Sequence, residues 1–269
     1  MIASVGRRFA LPVLALCGAS GICLAGDLTP PPGPVAPTAK PLTDVEPRTA
    51  VNAENTPGDA SASFVIAQPG SYYLTGNLQA DAAKDAIHIS TDNVTLDLNG
   101  FTIDGATATG PSTAISITDD YMGITIANGN IANWLDVGIH GEDATELEFH
   151  DLRFSDLGGE AILIGAAHCH DCSFHRCDGA FSASSNAILE DSLITDSTGA
   201  VVDVGTGSVV RRNTIRNSGT FAIRFAGSDG LIEDNSIIDT PNIGINVATG
   251  NGTTAASYTH LTLPTIHPA

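Results

Sequence analysis

The apolar and polar positions of this chain repeat along most of its length. From Ala86 onward a unit of four residues recurs. Its positions hold a small or apolar residue, an apolar residue, any residue, and an apolar or small residue. The unit starts at Ala86, Ala114, Gly138, Ala161, Ala180, Val201, Ala222 and Gly244. Successive starts lie 19 to 28 residues apart, close to 22 in the last four units. Recurrence in register at such a period predicts a stacked repeat architecture.

A second pattern follows within each unit: an apolar residue, a small, polar or apolar residue three positions later, and an apolar residue two beyond. The sets are Ile126/Gly129/Ile131, Phe149/Leu152/Phe154, Cys169/Cys172/Phe174, Leu189/Ser192/Ile194, Val210/Asn213/Ile215 and Ile232/Asn235/Ile237. Asn or Asp then follows at Asn133, Asp156, Asp196, Asn217 and Asp239. Alternation of period two, broken by Asn, Asp and Gly, predicts three short strands per unit, tight turns and no helix.

A single unit of this kind cannot bury its apolar face, but a stack of such units can. Each strand is then expected to pair with its equivalent one coil further on, at about 4.8 Å per coil. Asn213 and Asn235 would form a ladder of side-chain amides along the stack. The Leu-x-x-Leu-x-Leu frame of leucine-rich repeats and the Gly-Gly-x-Gly-x-Asp motif of calcium-binding rolls are absent from the sequence.

Three further segments point to a family. They are Glu46-Pro47-Arg48-Thr49, Gln68-Pro69-Gly70-Ser71-Tyr72-Tyr73-Leu74-Thr75-Gly76-Asn77 and Val94-Thr95-Leu96-Asp97-Leu98-Asn99-Gly100-Phe101. With the repeats, they make residues 40–252 resemble secreted bacterial β-helix repeat proteins of the pectate-lyase-like superfold. The resemblance implies an all-β, right-handed parallel β-helix solenoid of eight or more coils of roughly 22 residues. It does not imply an activity, because this superfold hosts lyases, hydrolases, epimerases, adhesins and inert stalks.

The two ends of the chain depart from the repeat. Residues 1–25 read as a secretory signal peptide: Arg7 and Arg8 precede an apolar run, and Cys23-Leu24-Ala25 supplies a cleavage site. A lipoprotein signal acylated at Cys23 is the alternative. Residues 26–57 form a proline-rich linker, 58–252 the β-helix domain, and 253–269 a non-repeat tail, either genuine or an artefact resembling a translated sequencing adapter. We therefore expect a secreted protein, extracellular, periplasmic or at the cell surface, without a transmembrane segment.

Charge narrows the range of partners. The chain has 30 Asp and Glu against 11 Lys and Arg, a formal net charge of −19. This balance excludes nucleic acid, because a binder of phosphates needs a basic surface, and it disfavours anionic lipid. An acidic polysaccharide would require a local basic patch. Aromatic residues make up only 5% of the chain, so platforms on which sugar rings could stack are scarce.

The densest polar segment offers candidate metal ligands. They are His168, Cys169, His170, Cys172, His175 and Cys177. Cysteine and histidine at this spacing are compatible with zinc or copper. The alternative is that the cysteines are core residues or form one local disulfide, because Cys169 and Cys172 occupy inward positions of the repeat. Removal of residues 1–25 leaves three cysteines, an odd number for an oxidising compartment.

Catalytic candidates come from the outward positions of the first strand in each coil. That column is His88, Ser116, His140, Leu163, Ser182, Asp203, Arg224 and Asn246. A polysaccharide lyase of the pectate type needs carboxylates that bind calcium and an Arg or Lys base. Asp203 and Arg224, one coil apart, are the only suggestive pair, and a surface ion pair is the alternative reading. Calcium is expected only if the protein is a lyase, and no other cofactor is expected.

Three functions are compatible with these observations. The first is a noncatalytic scaffold or surface protein that presents a face to carbohydrate or to a cell-surface partner. The second is a carbohydrate-active enzyme, a lyase or a glycoside hydrolase, that acts on acidic polysaccharide. The third is a periplasmic metal-binding β-helix protein.

Overall fold

The computed structural model describes residues 47–81, 84–110, 112–248, 251–256 and 259–261. The predicted signal peptide, most of the predicted linker and the end of the tail lie outside the described residues. The strands are β1 (Thr49–Ala50), β2 (Ala62–Ile66), β3 (Gly70–Tyr73), β4 (Leu78–Gln79), β5 (Asp85–Ile89), β6 (Val94–Asp97), β7 (Thr102–Asp104), β8 (Ile115–Ile117), β9 (Met122–Ala132), β10 (Ile139–Gly141), β11 (Thr145–Ile164), β12 (Ala167–His170), β13 (Ser173–Ser185), β14 (Ile188–Glu190), β15 (Leu193–Thr195), β16 (Ala200–Thr206), β17 (Val209–Arg211), β18 (Thr214–Arg216), β19 (Phe221–Phe225), β20 (Leu231–Glu233), β21 (Ser236–Ile238), β22 (Ile243–Val247), β23 (Thr254–Ala256) and β24 (Thr259–Leu261).

Parallel pairing arranges these strands on three faces of a solenoid. The first face contains β2, β5, β8, β10, the end of β11, the end of β13, β16, β19 and β22. The second contains β1, β3, β6, the start of β9, the start of β11, β12, β14, β17, β20 and β23. The third contains β4, β7, the end of β9, the middle of β11, the start of β13, β15, β18, β21 and β24.

The register of the first face follows the sequence repeat. Ile87 pairs with Ile115 across a 28-residue coil, and Ile139 pairs with Ile162 across a 23-residue coil. The outward column pairs in the predicted order, with His140 beside Leu163 and Asp203 beside Arg224. The predicted parallel β-helix is confirmed. One earlier coil exists before the eight repeats, because β2 pairs with β5 through Phe64 and Ile87.

The core lies inside the coils and is built by alternation along each strand. In β12, for example, residues 167 and 169 are buried whereas 168 and 170 are partly exposed. Aromatic side chains fill the middle of the stack, where the rings of Phe154 and Phe174 lie parallel with centroids 5.0 Å apart. Large apolar side chains therefore stack on their equivalents from coil to coil, which buries faces that one coil alone would leave exposed.

Single residues with positive φ turn the chain at the corners. At the corner after the third face these are Asn133, Asp156, Arg176, Asp196, Asn217 and Asp239, with φ between 51° and 60°. The Asn and Asp members are those expected from the repeat, because these residues tolerate the left-handed conformation better than other non-glycine residues. A second such set precedes the third face: Asn128, Asp151, Asp171, Asp191, Arg212 and Asp234.

The strand ladders extend past both ends of the 58–252 segment that the sequence marks as the domain. Thr49 and Ala50 lie in the segment predicted to be linker, and they pair with Tyr72 and Tyr73. At the other end β23 pairs with β20 and β24 pairs with β21, so two strands of the tail continue the second and third faces. No helix in the described part of the chain is long and apolar enough to cross a membrane.

Candidate functional site

The three cysteines of the polar segment lie inside the solenoid. Cys169, Cys172 and Cys177 are buried, and all three are free thiols. Burial raises the pKa of the Cys177 thiol to about 12 and that of the Cys169 thiol well above its usual range. A thiol binds a metal as the thiolate, so Cys169 and Cys177 are poor ligands. In the structure all three lie in the core as free thiols, without a local disulfide.

The histidines of the same segment point outward, away from the cysteines. His168 and His170 lie on the second face, whereas His175 lies on the third face, with Nδ1 2.8 Å from Oγ1 of Thr195. The structure therefore does not bring the six candidate metal ligands together. Strand alternation is the reason, because neighbouring residues of a strand project to opposite sides of the sheet.

The two histidines of the second face instead meet a carboxylate from the preceding coil. Glu148 pairs directly with His168 across the strands, and His150 pairs with His170. Nε2 of His170 lies 3.6 Å from Oε1 of Glu148. The sequence reasoning missed Glu148, although its signal is present, since Phe149 and Cys169 hold equivalent positions of the repeat. The residues that precede them, Glu148 and His168, must then be neighbours.

Acidic side chains surround the imidazoles of this cluster. Nδ1 of His170 lies 2.9 Å from Oδ2 of Asp171, and its ring stacks on that of His150 with centroids 5.3 Å apart. Burial lowers the pKa of His170, but the carboxylates of Asp171 and Glu148 outweigh it, so the pKa is raised. The cluster therefore favours positive charge at His170, whether from a proton or from another cation.

A second charged network continues along the same face. Nε of Arg211 donates to Glu190, NH2 of Arg212 donates to Glu190 at 2.7 Å, and Nε2 of His168 lies 2.8 Å from Glu190. The hydrogen bond from Arg211, followed by those from His168 and Arg212, lowers the pKa of Glu190 to about 2 although burial raises it. Glu190 is thus an anion that orients its neighbours.

The catalytic candidates Asp203 and Arg224 form an ion pair in direct contact. NH1 of Arg224 donates to Oδ2 of Asp203 at 2.6 Å on the first face. The two side chains remain partly exposed, with relative exposures of 42% and 26%. An exposed pair of this kind contributes about 1 kcal/mol or less to stability. In the structure Asp203 and Arg224 therefore form an ion pair at the surface.

An open groove runs across the coils at the corner between the second and third faces. We call it the corner groove, and it consists of two continuous hollows of about 360 and 700 Å³ that share Asp151, Arg153, Asp171 and Ser173. Further polar side chains from neighbouring coils line it: Asn128, Asn130, Asp191, Arg212 and Thr214. No aromatic residue lines it among the residues described here.

Arg153 gives the corner groove a guanidinium that no described carboxylate already binds. Its side chain is exposed and lines both hollows. Within the described ranges Arg153 makes no side-chain hydrogen bond or ion pair, whereas Arg212 binds Asp191 at 2.7 Å on the same groove. No sequence motif marks this groove, because its members come from corner positions of successive coils.

Comparison with known proteins agrees with this geometry. The family described as "Right handed beta helix region" matches residues 113–260, which is just over half of the 269-residue chain. No curated protein matches the chain. The parallel strand ladders of the described residues and a family match over more than half of the chain lead to one assignment. The chain belongs to the family of right-handed β-helix proteins.

Proposed function

We propose that this chain is a secreted, noncatalytic β-helix that binds a hydroxyl-rich polysaccharide along the corner groove. The observation that carries the proposal is the groove itself, which crosses successive coils and receives polar side chains from each of them. Coils of a solenoid repeat at about 4.8 Å. A linear polymer also presents its groups at regular intervals, so a groove of this kind suits a polymer better than a compact small molecule.

Charge favours neutral sugar over acidic sugar as the ligand. The chain carries a net charge of −19, and Asp151, Asp171 and Asp191 lie along the groove. An acidic polymer would be repelled by these carboxylates. Sugar hydroxyls, in contrast, can donate to carboxylates and accept from the unpaired guanidinium of Arg153. We therefore assign the hydroxyl contacts to the carboxylates and Arg153.

The groove binds by hydrogen bonds rather than by ring stacking, since no described lining residue is aromatic. Each hydrogen bond that replaces one to water contributes only about 1 kcal/mol. Affinity then depends on the number of coils that are engaged at once. Long chains should bind much more tightly than short oligosaccharides.

The noncatalytic part of the proposal rests on the state of the candidate catalytic pair. Arg224 donates to Asp203 at 2.6 Å, so each group already has its partner. A base that abstracts a proton from a sugar must instead reach that proton. Secretion is supported by the sequence pattern of residues 1–25, a basic pair before an apolar run and a small-residue site.

Affinity electrophoresis in gels that contain neutral or uronic-acid polysaccharides tests the proposal. The wild-type chain should be retarded by at least one neutral polymer, and Arg153→Ala should lose most of the retardation. Arg216→Ala is the matched control, because Arg216 is also exposed on the third face, has no ion-pair partner among the described residues and does not line the groove. Ser173→Trp, which fills the groove but keeps Arg153, should also abolish binding.

Two results would overturn the proposal. Equal retardation of wild type, Arg153→Ala and Ser173→Trp would remove the groove as the site. Unsaturated products from a uronic-acid polymer in the presence of calcium, lost in Arg224→Ala, would replace the binding function with a lyase activity. Glycan-array binding without turnover would support the proposal.

A further inference from the structure

Glu148, His168 and His170 form a compact cluster of nitrogen and oxygen donors outside the corner groove. One donor atom of each lies within 4.8 Å of those of the other two. We propose that this cluster binds one divalent transition-metal ion, for which Zn²⁺ is the best fit. None of the three ligands lines the groove. Asp171, which orients His170, is the residue that the two sites share.

The backbone places the three ligands without a flexible loop. His168 and His170 are two residues apart on β12 and therefore project from the same side of the strand. Glu148 lies directly opposite His168 on the adjacent strand β11. Sites built on strands hold their geometry better than sites on loops.

One distance in the cluster fits shared metal ligands better than a hydrogen bond. Nε2 of His170 and Oε1 of Glu148 are 3.6 Å apart. Hydrogen bonds between nitrogen and oxygen are about 2.7–3.2 Å long. Two ligand atoms that each lie about 2.1 Å from a tetrahedral ion are about 3.4 Å apart. The observed separation is close to the second value.

Each histidine also has the carboxylate partner that metal-binding imidazoles usually have. Nε2 of His168 lies 2.8 Å from Oε1 of Glu190, and Nδ1 of His170 lies 2.9 Å from Oδ2 of Asp171. The other nitrogens, Nδ1 of His168 and Nε2 of His170, make no hydrogen bond within the described part of the chain. A carboxylate on one ring nitrogen fixes the orientation and leaves the second for the ion.

The chemistry of the donor set selects the ion. Two imidazoles and one carboxylate suit Zn²⁺, whereas Ca²⁺ and Mg²⁺ prefer sets of oxygen atoms. The side chain of Glu148 is 48% exposed and that of His168 is 39% exposed, so an ion from solution can reach both. Three protein ligands leave a fourth tetrahedral position for water.

Calorimetric titration of the untagged full chain with ZnCl₂ near neutral pH tests the site. One Zn²⁺ per chain should bind, and excess Ca²⁺ should not displace it. His170→Ala and Glu148→Gln should each weaken binding at least tenfold. His88→Ala and His140→Ala are the matched controls, since each removes an outward histidine that also lies beside a carboxylate, at 2.8 Å from Asp85 and 3.3 Å from Glu142 respectively.

Two further measurements separate a lost site from a lost fold. Circular dichroism of each variant should match the wild type, and Co²⁺ added in place of Zn²⁺ should give a tetrahedral absorption band that His170→Ala lacks. Asp171→Asn keeps a residue suited to the positive φ of 53° at this position. It should weaken binding about tenfold by freeing the imidazole of His170. Absence of stoichiometric binding, or equal binding by His170→Ala and His140→Ala, would overturn the inference.

Discussion

Nδ2 of Asn213 donates a hydrogen bond of 3.1 Å to Oδ1 of Asn235, one coil further along the solenoid, and both side chains are buried. Oδ1 of Asn235 also accepts from the backbone N–H of Asn213 at 3.0 Å. The contact repeats one coil earlier, where the N–H of Ser192 donates to Oδ1 of Asn213 at 3.0 Å. At this corner, the side-chain oxygens of Asn residues therefore accept hydrogen bonds from backbone N–H groups that have no backbone acceptor.

Asn235→Ala should destabilise the protein by about 1–3 kcal/mol, because it leaves buried donors of Asn213 without an acceptor. It also removes the hydrogen bond of 2.8 Å from Nδ2 of Asn235 to the carbonyl oxygen of Val210. Urea unfolding followed by circular dichroism measures the loss. Asn242→Ala is the control, because the side chain of the exposed Asn242 makes a single hydrogen bond among the described residues, to the carbonyl oxygen of Gly219 at 3.2 Å. Its effect should stay within about 0.5 kcal/mol, and equal losses would contradict the ladder.

Gly129 occupies the position equivalent to Asn213 four coils earlier, where no side chain fits. A Cβ added at Gly129 would overlap the Cβ of Leu98 and lie 2.9 Å from the carbonyl oxygen of Phe101. Gly129→Ala should therefore destabilise the protein by about 1–3 kcal/mol through overpacking. Thermal unfolding checks this prediction. Gly76→Ala serves as the control, because nothing lies within 4 Å of an added Cβ there, and a larger loss in the control would refute the packing argument.

Much of the fold could be predicted because both rules behind it are local. Alternation decides which residues point inward, and Asn or Asp at fixed offsets marks the corners, so Ile87 and Ile115 could be paired from sequence alone. The segment around Phe64, which the sequence suggests is the N-terminal cap, forms a coil of its own, and Ser63, Phe64 and Ile66 fit the repeat pattern.

The candidate sites were less accessible to sequence reasoning, since their members come from different coils. His168 and His170 were found together with Cys169, but alternation separates the imidazoles from the thiol. Their partner Glu148 lies 20 residues before His168, and only the pairing of coils brings the two together. The orientation of each ring depends on carboxylates such as Asp171, which no motif reports.

The buried thiols should resist modification in the folded protein. Iodoacetamide followed by peptide mass spectrometry should leave Cys169, Cys172 and Cys177 unlabelled in native buffer and label all three in urea. The physical reason is twofold. Each of the three residues is at most 3% exposed, and alkylation requires a thiolate, which burial disfavours at Cys169 and Cys177. Rapid native labelling at Cys177, or a disulfide between any two of the three, would contradict the structure.

Asp59 should make stability depend on pH in the acid range. Its Oδ1 accepts hydrogen bonds from the N–H of Ser61 at 2.7 Å, from the Ser61 hydroxyl at 2.8 Å and from the N–H of Ala62 at 2.9 Å, just where β2 begins. These bonds, the one from the Ser61 backbone most of all, lower the pKa of Asp59 from 3.8 to about 2. The cationic groups nearby are His88 and Lys84, whose Nζ donates to the carbonyl oxygen of Asp59 at 2.9 Å.

A carboxyl whose pKa is lower in the folded chain than in the unfolded chain binds fewer protons when folded. Its contribution to the free energy of unfolding is therefore complete above the unfolded pKa of 3.8 and is lost as the pH falls toward 2. Asp59→Asn keeps an acceptor oxygen but has no charge, so the difference in stability from wild type should be fully present at pH 5 and shrink between pH 4 and 2. Urea unfolding at each pH measures this difference.

Asp81→Asn is the control, because the Asp81 carboxylate lies 3.8 Å from Nζ of Lys84 and makes no comparable set of backbone contacts among the described residues. If the stability difference from wild type depends as little on pH in the acid range for Asp59→Asn as for Asp81→Asn, the prediction is wrong. The turn would then not depend on the charge of Asp59.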